Sequence, residues 1–114
     1  MASLTKTFSF SAAHRLHSRF LSDEKNQEVF GKCNNLHGHG HNYELEVTVT
    51  GPIAEQTGMV FDLGELMQIV QEEVIERFDH KHLNLETEEF RDLNPTGENI
   101  AQIVWNLLKP RLGN

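Results

Sequence analysis

The chain has 114 residues, 38% of them hydrophobic and 24% charged, with 3 prolines; this describes one folded domain over residues 1–114 and excludes a disordered chain. A formal net charge of -7 with no Lys/Arg cluster excludes a nucleic-acid surface, which needs clustered cations. No apolar run reaches the length of a membrane span, no cleavable leader is expected, and the single cysteine, Cys33, cannot close an internal disulfide, so the expected setting is a reducing cytoplasm.

In chain order, Leu4 to His14 alternates, with Phe8, Phe10, Ala12 and His14 on one parity. This reads as a half-buried strand. An irregular polar stretch from His17 to Lys32 follows. Within it Ser22 is placed to cap a short helix that runs through Phe30 and stops at Gly31. Alternation returns from His39 to Thr50: His39, His41, Tyr43, Leu45, Val47 and Val49 face one way and Asn42, Glu44, Glu46, Thr48 and Thr50 the other. That pattern gives a strand with one buried and one wet face, ended by Gly51-Pro52 and followed by a turn at Thr57-Gly58.

Asp62 opens a helix, with Glu65 spaced for a capping box and Leu66, Met67, Val70, Val74 and Phe78 as its apolar stripe. Most of the acidic excess lies between Glu65 and Asp92, as expected of solvated helix faces. A second long helix starts at Thr96, just after Pro95, carries Ile100, Ile103, Val104, Leu107 and Leu108, and is stopped by Pro110 and Gly113. The expected class is therefore α+β, in the order strand, strand, helix, helix. Two strands leave sheet edges open, so either another chain completes the sheet or further residues follow Asn114.

Seven histidines are the anomaly, and three stand together at His37, His39 and His41. His39 and His41 are two apart on a strand, so their side chains point the same way and can meet at one ion. His14 lies on the buried parity of the first strand. If the strands are antiparallel neighbours, it adds a third imidazole, and three imidazoles with an open position make a catalytic zinc site. A His-Gly-His-Gly-His run also occurs as a flexible loop with adventitious metal affinity, but strand parity favours the site. Cys33, in a polar loop beside Lys32, Asn34 and Asn35, becomes a usable base or nucleophile near a cation or metal. Asp79-His80 reads on its own as a helix end with a histidine favoured by the helix dipole; such a pair also relays protons. Thr96 and Glu98 read on their own as an N-cap and a first-turn acid.

Six segments carry a resemblance: Phe10 to Leu16, Gly31 to Asn35, His39 to Tyr43, Thr57 to Val60, Asp79 to Asn84 and Pro95 to Asn99. In order and spacing, over nearly the whole chain, they resemble the 6-pyruvoyl-tetrahydropterin synthase family. The resemblance implies a tunnelling fold, with a four-stranded antiparallel sheet on two helices and subunits joined edge to edge into barrels, commonly as a homohexamer with shared active sites. It implies Zn2+ on His14, His39 and His41, a catalytic group of Cys33, Asp79 and His80, and Thr96 and Glu98 near the substrate. Relatives differ in whether the metal pair corresponds to His37 and His39 or to His39 and His41. The second register is preferred because Asn42-Tyr43 follows directly and the alternation begins there. Relatives also continue into two more strands, one carrying a glutamate that anchors the pterin; this sequence stops at Asn114, so that hairpin is expected to be absent.

The activity implied is a lyase reaction on 7,8-dihydroneopterin triphosphate, losing triphosphate to give 6-pyruvoyl-tetrahydropterin. In it the metal acidifies the substrate side chain, Cys33 takes a proton, and Asp79 and His80 handle the other proton traffic. Two alternatives stay open. One is a 6-carboxytetrahydropterin synthase using the same site and substrate; the other is a non-catalytic metal-binding module. Expected partners are the pterin triphosphate and copies of the chain itself, with no nucleic acid and no membrane.

Overall fold

The structure, a computed structural model, describes residues 1–113. Strand β1 (Ala2–His14) and strand β2 (His39–Gly51) form a long antiparallel ribbon, with Phe10 opposite Tyr43 and His14 opposite His39. Between them lie helix α1 (Asp23–Phe30) and a 3-10 turn, Gly31–Asn34. Ser22 caps α1 by accepting the Lys25 N–H, and Gly31 ends it at φ 56, a conformation that a glycine adopts freely. Helix α2 (Leu63–Val70) runs through a π-helical segment, Gln71–Ile75, into helix α3 (Glu76–Phe78). A two-residue strand β3 (Lys81–His82), helix α4 (Leu83–Glu86) and helix α5 (Gly97–Leu112) complete the described chain.

The sheet has the order β2-β1-β3, and β3 pairs in parallel with Ala12 and Ala13 of β1. Among the described residues the sheet is thus mixed and three-stranded, where the resemblance implies a four-stranded antiparallel one. The chain leaving α3 runs alongside the end of β1 in the same direction and covers its far edge only at Ala12 and Ala13. On its wet face, Thr5 meets Thr48 and Ser11 meets Asn42 through side-chain hydrogen bonds of 2.8 Å. On its other face, Phe10, Ala12 and Val47 join Leu66, Ile69, Val70, Val74, Phe78, Ile100, Val104 and Leu108 in one core. The strand parity and the 3.6-residue helical period thus converge on a single interior. Phe10 and Tyr43 stack across the ribbon with ring centroids 5.1 Å apart, a geometry that contributes about 0.5–1.5 kcal/mol beyond area burial. The outer edge of β2 pairs with no strand among the described residues. No helix of the described residues is long and apolar enough to cross a membrane.

Two features of α2 depart from the sequence reading. Asp62 stands at the N-cap of α2 but makes no side-chain cap bond, so the spacing to Glu65 forms no capping box. Met67 is 46% exposed, and Ile69 at 2% takes its expected place in the core. The helix is turned so that residues three apart, Leu66 and Ile69, enter the core together.

Candidate metal centre

The end of the ribbon that carries the histidines is built from three elements. β1 delivers His14 and β2 delivers His39 and His41, all on the core-facing parity; the 3-10 turn delivers Cys33. One donor atom from each of His14, Cys33, His39 and His41 lies within 4.8 Å of the others. Nε2 of His41 is 3.1 Å from Nε2 of His39, which is 3.0 Å from the Cys33 Sγ. The His14 ring stands edge-on to His41 at 4.7 Å between centroids. His37 does not belong to this group.

The hydrogen bonds of His14 identify its tautomer. Its Nδ1 lies 2.9 Å from the Pro95 carbonyl, which can only accept, so Nδ1 carries the proton. The Tyr43 hydroxyl is 3.1 Å from the same nitrogen. Nε2 is then a lone pair, and it is buried with no hydrogen-bond partner. Leaving such an acceptor unpaired costs about 1–3 kcal/mol, a cost that a cation removes. A metal-ligating histidine typically donates its other ring N–H to a carbonyl or carboxylate in this manner.

Burial, and then the neighbouring imidazoles, hold the pKa of His14 below its ordinary value, against the raising effect of the Pro95 bond. Burial and His39 do the same to His41. Both rings are thereby kept in the neutral form that ligates metals. Burial pushes the Tyr43 hydroxyl up to about 12, with the Cys33 charge second, so it remains a neutral wall of the site. Imidazoles and a thiol are the donor set of zinc, and these residues fit that ion.

The other predicted site residues stand outside the four-donor group, although His80 lines one cavity with His41 and Thr96 directly follows Pro95, the hydrogen-bond partner of His14. Asp79 and His80 form the turn from α3 into β3, on the edge of β1 opposite β2. Asp79 Oδ1 accepts the Ser11 N–H at 2.9 Å and its Oδ2 pairs with the His80 Nδ1 at 2.9 Å. His80 adopts φ 61, a left-handed conformation uncommon outside glycine, and its side chain is 81% exposed. With Asp79 holding Nδ1, the other ring nitrogen faces outward. Among the described residues no hydrogen bond joins Cys33 to this pair; Cys33 bonds His39 on the β2 side. Thr96 caps α5 by accepting the Asn99 N–H at 3.2 Å, and Glu98 is exposed on its first turn.

The Pro95 carbonyl was not foreseen from the sequence, since a backbone acceptor leaves no trace in residue identity. Asn84 was not foreseen either. Its amide accepts from the Arg15 N–H at 2.8 Å and donates to the Arg15 carbonyl at 2.9 Å, tying the chain just past His14 to α4. A polar side chain following a strand-like His-Leu pair was the available signal.

Residues 3–114 match the sequence profile described as 6-pyruvoyl tetrahydropterin synthase. The chain is 49% identical to the 6-pyruvoyl tetrahydrobiopterin synthase of Drosophila melanogaster, covering 98% of this chain and 67% of that protein. It is 47% identical to the Homo sapiens protein of the same name, covering 95% and 74%. The structure superposes on that of Caenorhabditis elegans 6-pyruvoyl tetrahydropterin synthase with a TM-score of 0.92 at 42% identity, covering 99% of this chain and 80% of that one.

Proposed function

Since this chain belongs to the 6-pyruvoyl tetrahydropterin synthase family, we propose that this enzyme, a lyase, is zinc-dependent and converts 7,8-dihydroneopterin triphosphate to 6-pyruvoyl-tetrahydropterin with loss of triphosphate. The observation that carries the reading is the convergence of the orphaned His14 Nε2 with His39, His41 and Cys33. His14, His39 and His41 hold the ion; when bound it supplies Lewis-acid polarisation of a substrate oxygen.

The chain's own residues supply the rest. Cys33, whose Sγ touches His39, takes a carbon-bound proton beside the oxygens bound at the site. Asp79 orients His80 through Nδ1, leaving the other ring nitrogen to give or take a proton. Thr96 and Glu98 line the approach of the substrate. In one chain Cys33 contacts His39 from the turn beyond β1, whereas Asp79 and His80 are held at Ser11 on the β3 side with no hydrogen bond to Cys33 among the described residues. In this reading the trio is completed by the Asp79-His80 turn of a second copy. The unpaired outer edge of β2 is a template for strand pairing between copies, in keeping with a tunnelling-fold homohexamer made of one such domain per chain. A reducing cytoplasm suits the reading, because it keeps Cys33 a thiol.

Mass-spectrometric identification of the product formed by the zinc-loaded protein tests the reading. Release of triphosphate with a 6-pyruvoyl product supports it. A 6-carboxy product moves the chain to the side-chain-cleaving branch, and no turnover leaves only a metal-binding module.

A further inference from the structure

We infer that His82 is a positioning residue for the metal centre, fixing through the His37 carbonyl the point at which His39 meets Cys33. The inference rests on the metal reading above, but on residues outside the ligand set.

Residues 35–38 carry the chain from the Cys33 turn to the first residue of β2, passing the end of β1. Gly38 turns there at φ +76, and its N–H donates to the Asn35 carbonyl at 2.8 Å. A Cβ on Gly38 would lie 2.6 Å from the His14 carbonyl oxygen and 2.8 Å from the His82 Nε2. The segment is therefore pressed between the main chain of one metal-site residue and the ring of His82, with no room for a side chain. The His82 Nε2 is 3.3 Å from the His37 carbonyl, which can only accept, so Nε2 carries the proton and donates.

The strut is itself anchored. His82 pairs with Ala13 in the sheet, its N–H donates to Glu86 Oε1 at 2.8 Å, and the next residue, Leu83, is buried in the core. The remaining ring nitrogen, Nδ1, is buried and unpartnered. The ring therefore makes one side-chain hydrogen bond, to the His37 carbonyl, and carries at Nδ1 a desolvation cost that an apolar side chain filling the same space would not. The bond grips the chain two residues before His39, where a small displacement would part the His39 Nε2 from its neighbours at 3.0 and 3.1 Å.

The test is the zinc dissociation constant by competition with a chromogenic chelator, in wild type, His82→Ala, His82→Phe and His82→Gln, with the melting temperature of each metal-free protein alongside. Loss of a hydrogen-bond partner of a ligand itself typically costs about 10- to 100-fold in metal affinity. His82 acts one step further back, on the chain two residues before His39, so the expected factor is the lower end, about 10-fold. His82→Ala and His82→Phe should both weaken zinc by that factor. His82→Gln, whose amide N–H reaches the same carbonyl, should restore most of it. If the alanine variant does not fold, the phenylalanine variant, which keeps the ring volume, carries the test. Wild-type affinity in His82→Phe, or equal losses in His82→Gln and His82→Phe, would overturn the inference while leaving the metal reading intact. Failure of the wild type to bind zinc would overturn both.

Discussion

The His14 ring donates its Nδ1–H to the carbonyl of Pro95 at 2.9 Å, so the residue that precedes the N-cap of α5 also selects which nitrogen of His14 faces the metal centre. The start of the last helix and the geometry of the ligand set are thus one structural unit. His14→Ala, His39→Ala and His41→Ala should each abolish tight zinc binding, whereas His37→Ala should keep it, because His37 stands outside the converging group. Zinc content after dialysis decides this; full retention in His41→Ala with loss in His37→Ala would reverse the ligand register.

Cys33 touches His39 through sulfur, and two roles for it give different outcomes. As the base, its replacement leaves the three imidazoles and the zinc in place. Cys33→Ala should then keep stoichiometric zinc while turnover falls about a hundred- to ten-thousand-fold. Loss of zinc in that variant would mean instead that the thiol closes the coordination sphere, as in a structural site.

His80 holds a positive φ that a non-glycine residue adopts at a cost of about 1–2 kcal/mol. Strain of this kind, when observed, points to a functional demand on the side chain. His80→Gly relieves the backbone and gives back part of the gain as unfolded-state freedom, so its melting temperature should hold or rise. Turnover should fall sharply in the same variant. Parallel loss of both stability and turnover would mark His80 as a structural turn residue.

The Asp79 carboxyl is held below its ordinary value of 3.8, chiefly by the Ser11 N–H and further by His80, against the opposing effect of desolvation. A depressed carboxyl stabilises the fold above its unfolded pKa and loses that contribution as pH falls through the folded one. Urea titrations of wild type and Asp79→Asn should differ by a constant amount from neutrality down to the ordinary value, and the gap should close in stronger acid. A gap that widened on acidification would contradict the assignment.

Much of this was legible from residue order. A period of two placed both long strands and put His14, His39 and His41 on one face, and Ser22, Gly31 and Thr96 marked helix ends because capping is chemistry of the residue itself. Strand β3 spans two residues, too few for any period to register. The π-helical segment Gln71–Ile75 interrupts a stripe that reads as continuous helix. Pro110, read as a stop, sits inside the last turn of α5, where the N–H it lacks costs one terminal bond and the helix continues to Leu112. At the site, parity gave the histidines, whereas the Pro95 and His37 carbonyls and the contact of Cys33 with His39 depend on how loops return to the sheet.

Metal dependence is the centre of the account, and stepwise zinc addition to metal-free protein tests it most directly. Triphosphate release from 7,8-dihydroneopterin triphosphate, followed at each addition, should rise in proportion to bound zinc and level off when the His14, His39 and His41 site of every chain is filled. Release that is already full without zinc, or that stays absent when every site is filled, would contradict it.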